Sequence, residues 1–259
     1  MGFAQQTLVV AVLLFVGMVI LLEAGRRAQV RRRVSDPTDP SPGVGALEAA
    51  VYGLLALLVA FTFSGAASRF DARRQLVVQE VNAIGTAYLR LDLLPPAARP
   101  ALRDSFRRYL DSRLEAYRQM PDVEAFLAAF ARSVALQGEI WTRAVAACPK
   151  AEAGTPACML LVPALNEMFD ITTTRRAALD MHPPAIIFVM LCALALVTAL
   201  VAGYNLTGDP RHNWLPMIGF AITVAITVYV ILDIEYPRLG LIRVNAIDRM
   251  LVELRASMK

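Results

Sequence analysis

Histidine and cysteine are scarce in this sequence, with two and three in 259 residues. Neither His182 nor His212 has a second histidine or an acidic partner at helical ligand spacing, so no metal site is expected. Both read as surface or interfacial side chains. There is no Cys-x-x-Cys pair, no glycine-rich phosphate loop and no nucleophile elbow. The stretch "GTPAC" lacks the lysine and the helix opening that a nucleotide loop needs. These absences point away from an enzyme, and no cofactor is expected. A basic balance is present, with net charge +4 and pI near 9.2. Its arginines cluster at the edges of apolar runs, where they set topology and touch anionic headgroups. No nucleic-acid motif accompanies them, so nucleic acid is not an expected partner.

Apolar residues, by contrast, make up 57% of the chain, and mean hydropathy is +0.50. Soluble domains average roughly 45–50% apolar. The long apolar runs are 3–22, 46–66, 184–204 and 215–232, and most charged residues lie outside them. About 20 helical residues cross the hydrocarbon layer. The reading is an all-α integral membrane protein with four transmembrane helices in two pairs and the lipid bilayer as a partner. Residues 1–67 form the first pair, 68–182 a helical bundle, 183–232 the second pair and 233–259 an amphipathic tail. Met1 to Gln6 carries no basic side chain, and no small-x-small cleavage site follows the first run. Arg26, Arg27, Arg31, Arg32 and Arg33 follow it instead, as they would a retained anchor with its N-terminus outside.

The middle region reads as helical throughout. The second span runs on without a proline through "AFTFSGAASRFDARRQLVVQEVNAIG". Val77, Val81, Ile84, Tyr88 and Leu91 then form a seam for a neighbouring helix, within the chain or in a second copy. The second span and the first bundle helix are therefore expected to be one rod of about 45 residues, roughly 70 Å long. Pro95 and Pro96 end it. A second helix, about 97–119, carries the stripe Leu102, Phe106, Tyr109, Leu110, Leu114 and Tyr117, with arginines on its other side. A third opens at Pro121, with Val123, Phe126, Leu127, Phe130, Val134, Gln137, Trp141 and Val145 on one face. A fourth covers about 158–181, with Leu161, Leu165, Met168 and Phe169 inward.

The arginines of 23–45 place that connection in the cytoplasm, and four spans then put the bundle and both termini outside. Cys148 and Cys158 bracket a flexible joint. They fit a disulfide in an oxidising compartment, or two unlinked thiols. Arg69, Arg73, Arg74, Arg175, Arg176, Arg238 and Arg243 crowd the opposite membrane face and argue for the reverse orientation.

In the second span, Phe61, Thr62, Phe63, Ser64 and Gly65 place small and hydroxyl groups beside two phenyl rings. Close helix packing is the simpler use of such residues. A pore wall is the other, with hydroxyls replacing part of an ion's hydration and the rings as an apolar gate. Arg69, Asp71, Arg73 and Arg74 follow as headgroup anchors or as charges at a pore mouth. Glu80 and Asn82 are polar positions on the rod, either exposed or bonded to another helix. Thr223, Thr227, Asp233 and Glu235 sit in and at the end of the fourth span, where the charges read as an interfacial network.

The segment "FTFSGAASRFDARRQLVVQEVNAIGTAYLRLDLLPP", with the later "EYPRLGLIRV", resembles the bestrophin-like family of bacterial membrane proteins, largely a domain of unknown function. The resemblance covers most of the chain and implies a bacterial inner-membrane location. True bestrophins are pentameric anion channels whose second-span helix lines the pore. That more distant resemblance implies a homo-oligomer conducting small inorganic ions, anions first, with residues 61–65 at the pore. Two departures stand out. No acidic cluster matches the bestrophin calcium clasp, and the bestrophin helical domain is cytoplasmic whereas this one is expected outside. The alternative function is a non-conducting scaffold or sensor whose helical domain binds a partner.

Overall fold

A computed structural model describes residues 3–35, 45–119, 122–148, 155–205, 214–236 and 245–258. His212, Arg238 and Arg243 lie outside the described residues. In chain order the helices are α1 (Phe3–Ser35), α2 (Gly45–Arg90), α3 (Arg99–Arg118), α4 (Val123–Ala147), α5 (Thr155–Asp180), α6 (Ala185–Asn205), α7 (Trp214–Glu235) and α8 (Asn245–Ser257). A 3-10 turn, Leu91–Leu93, follows α2. No strand occurs among the described residues. Among the described residues, four helical stretches are long and apolar enough to cross a membrane, within Gln5–Arg32, Gly45–Leu93, Pro156–Asn205 and Trp214–Glu235.

The chain divides into two compact units, residues 1–70 with 182–242 and residues 71–181 with 243–259. In the first, the spans do not pack as two sequence-adjacent pairs. α1 lies against both α6 and α7, which barely meet each other. Leu14, Met18 and Leu22 of α1 close on Leu191, Ala195 and Ala199 of α6 and on Met217, Ala221, Val228 and Ile231 of α7. The α1–α6 contact is backbone to backbone. A Cβ on Gly203 would lie 1.9 Å from the Leu22 carbonyl oxygen, and one on Gly25 would lie 2.2 Å from that of Leu200. Ala195, Ala199 and Gly203, four residues apart, form the small face that permits this approach. With no hydrophobic drive between helices in lipid, such close packing is what holds spans together. The spanning part of α2 takes little share in it. Leu54, Leu57, Phe61 and Phe63 are exposed.

In the second unit, Val77, Ile84 and Leu91 are buried, so the seam on α2 is answered within the chain. The α3 stripe is buried as its spacing predicts. α4 differs. Asp122 caps it through its side chain, accepting from the Ala125 amide. Its buried positions are Phe126, Ala129, Ser133, Ile140 and Ala144, while Leu127, Val134, Trp141 and Val145 stay exposed. The inward face is thus rotated from the expected one, because small residues let α4 close on α3. Pro163 lies inside α5, and the tail helix α8 packs on α3, where Arg255 pairs with Asp111 at 2.7 Å.

Candidate functional site

The candidate pore residues lie midway along α2, whose apolar first half and polar second half continue as one helix of 46 residues. Phe61 is 68% exposed, Phe63 43%, and Ser64 is exposed as well. Thr62 turns its hydroxyl back on its own helix, donating to the Leu58 and Val59 carbonyl oxygens at 2.8 and 3.0 Å. Gly65 lies under the Arg69 guanidinium, which a Cβ would approach to 3.2 Å. Exposed positions recur at Gly53, Leu57, Ala60, Ser64 and Ser68. That spacing of three or four residues defines one face of α2, small or hydroxyl-bearing except at Leu57.

At the end of this stretch Arg69 pairs with Glu235, the last residue of α7. Its Nε donates to both carboxylate oxygens at 3.1 and 3.0 Å and its Nη2 to Oε2 at 2.7 Å. The Glu235 side chain has no exposed surface, and such a carboxylate needs paired donors to offset lost hydration. His182 supplies another contact, with Nδ1 3.1 Å from Glu235 Oε1. The His182 ring stacks on Tyr236 with centroids 4.2 Å apart. Sequence reading placed Glu235 in an interfacial network; the Arg69 and His182 partners carry no spacing signal, since 166 and 53 residues separate them from it.

In the second unit, Asp71 and Arg74 are exposed and 3.4 Å apart. Arg73 is buried and works on backbone instead. Its Nε and Nη2 donate to the Ala178 and Met181 carbonyl oxygens at 3.0 and 2.9 Å, closing the C-terminal end of α5. Glu80 is completely buried. Arg113 Nε donates to it at 2.7 Å, Arg175 Nη1 donates to its other oxygen, and both guanidiniums lie over the Tyr117 ring, at 4.9 and 4.1 Å from its centroid. Nearby, Glu139 accepts from Ser105 at 2.9 Å and from Arg108 at 2.5 Å, and the Arg108 bond holds its carboxyl below the ordinary value. Asn82 is exposed and lines a cavity of about 620 Å³ with Gln79, Asn166, Glu167, Asp170 and Thr174. Cys148, which caps α4, is joined by a disulfide to Cys158 in α5.

The bestrophin-like domain matches this chain over residues 8–247. No curated protein matches it. Two mutant forms of a bacterial Bestrophin homolog from Klebsiella pneumoniae, both solved as crystal structures, share the fold. One is 14% identical, with a TM-score of 0.68 over 95% of this chain and 99% of that one. The other is 16% identical, with a TM-score of 0.66 over 99% and 100%. The domain match spans nearly the whole sequence, and the chain belongs to the bestrophin-like family.

Proposed function

We propose that this protein is an oligomeric ion channel in which the exposed face of α2 lines the path. The observation that carries the reading is that face itself, with small and hydroxyl side chains left uncovered along the first half of a helix apolar enough to span a membrane. Lipid-facing surface has no use for Ser64 and Ser68, whereas a water-filled path does. One copy leaves too few helices around that face to enclose a path. The exposed ridge Leu127, Val134, Trp141 and Val145 on α4 supports assembly, since an uncovered apolar patch of this kind marks an interaction surface. Within the reading, Phe61 serves as an apolar constriction with Phe63 and Gly65 flanking it, Ser64 and Ser68 as wall, and Asp71 and Arg74 as charges at its end. Thr62, with its hydroxyl on the Leu58 and Val59 carbonyl oxygens, lies on the far side of the helix.

Anions are the expected ion on the resemblance to true bestrophins. A cation path is the second reading, and a specific observation favours it. Arg69 and Arg73 are held by Glu235 and by α5 carbonyls, while Glu167 and Asp170 line the open cavity beside Asn82. Purified protein in liposomes should pass ions, and Ser64→Leu should cut the flux strongly. The sign of the reversal potential across a salt gradient separates the two readings. Absence of flux for several ions of both signs would defeat the channel and leave the scaffold or sensor. We further place the protein in a bacterial inner membrane with the second unit outside, in line with its disulfide.

A further inference from the structure

A cavity of about 310 Å³ opens among α1, α2, α6 and α7 of the first unit, away from the exposed face of α2. Leu22, Met217 and Phe220 give it an apolar floor, and Glu48, Tyr52 and Asn205 give it a polar end. Its size is that of a small-molecule site. Glu48 stands in the first turn of α2, where the helix dipole alone favours a carboxylate. The dipole does not account for its neighbours. Tyr52 Oη donates to Glu48 Oε1 at 2.5 Å and so fixes the direction of the carboxylate. Among the described residues Glu48 accepts from no other side chain, which leaves Oε2 for a further donor. Asn205 Nδ2 is buried without a hydrogen-bond partner. That nitrogen has no accessible surface and so meets nothing in the cavity, which leaves Glu48 and Tyr52 to set its polar chemistry.

The complementary molecule therefore carries two features. It has a cationic donor for Glu48 and hydrocarbon for Leu22, Met217 and Phe220. A bare anion lacks the first, and a simple alcohol lacks the charge. We propose that the cavity binds an amphiphile with an ammonium head, the chemistry of phosphatidylethanolamine. The inference is independent of ion conduction, since it uses none of the residues assigned to the path.

Native mass spectrometry of the full chain in detergent tests it, with phosphatidylethanolamine and phosphatidylglycerol of equal chain length as probes. The wild type should retain the ethanolamine lipid over the glycerol lipid by roughly tenfold or more. Glu48→Gln should bring that ratio close to one. Tyr52→Phe, which removes the bond that directs the carboxylate, should lower the same ratio and serves if Glu48→Gln does not survive purification. Dodecylamine should displace the lipid, whereas glycerophosphoethanolamine at the same concentration should not. Equal retention of the two lipids, an unchanged ratio in the variants, or displacement by the soluble headgroup would each overturn the proposal.

Discussion

A carboxylate with no exposed surface must find its counter-charges inside, and Glu80 finds two. Arg113 and Arg175 reach it from α3 and α5, so one side chain ties α2 to both. Buried pairs of this kind add little over a well-packed apolar core, but removing one partner strands the others. Glu80→Ala is expected to destabilise the protein by about 3–5 kcal/mol. The check is the melting temperature of the purified chain in detergent, and an unchanged value would mean the cluster bears no strain. Glu139 gives a pH-dependent case. Its folded carboxyl is held below the ordinary value of 4.5, chiefly by Arg108. A depressed carboxylate contributes stability that is present above its unfolded value and is lost as pH falls through the folded one. Acidification from about pH 5 to about pH 3 should lower the melting temperature, and Glu139→Gln should lose less over the same range. An identical fall in both would sink this assignment.

At the scale of helices, the α1–α6 seam is where sequence and structure part most clearly. The apolar run 184–204 reads as a span on length alone, yet nothing in the run names its partner. The partner is written in Gly25 and Gly203, whose missing side chains let two backbones meet. Gly203→Val should separate these helices and cost at least about 1–3 kcal/mol through overpacking. Gly53→Ala is the contrast, because no atom lies within 4 Å of a Cβ there. It should be neutral or stabilise by roughly 0.5–1 kcal/mol. Thermal melts of the two variants read both outcomes. The α2 and α3 stripes were legible because their large apolar residues repeat at helical spacing. Arg113 was equally legible in hindsight. It falls four residues after Tyr109 and four before Tyr117, inside the buried stripe rather than on the arginine-covered side. The inward face of α4 departs from the spacing because spacing follows large residues, while α3 meets α4 at Ala129 and Ser133. Of the candidate site, the position of Phe61 to Gly65 on a continuous helix could be read. The engagement of Arg69 and Arg73 could not, because their acceptors are a distant carboxylate and two backbone carbonyls.

For the whole molecule, the open question of chemistry is which compartment each part faces. Two sequence signals compete. Five arginines between the first two spans put residues 23–45 in the cytoplasm, and arginines at the other ends of the spans argue the reverse. The structure adds an independent consideration, the Cys148–Cys158 disulfide in the second unit. Reducing cytosol keeps thiols apart, so a stable bridge belongs outside it. The positive-inside rule counts basic residues in short connections and largely ignores charges on long segments, which cross regardless. Both arguments are in line with the orientation proposed above, a cytoplasmic first connection and an external second unit. The decisive measurement is labelling of Ser41→Cys, a position outside the described residues, in a chain otherwise free of cysteine. A membrane-impermeant maleimide applied to intact cells should leave it unmodified, and the same reagent should modify it after the membrane is opened. Labelling in intact cells would reverse the orientation and place the second unit in the cytoplasm. The wild-type chain gives a second reading by a different route. Its mobility on a non-reducing gel should change on reduction if the bridge forms in the cell, and a chain whose thiols are alkylated without reduction would show that the bridge had no oxidising compartment to form in.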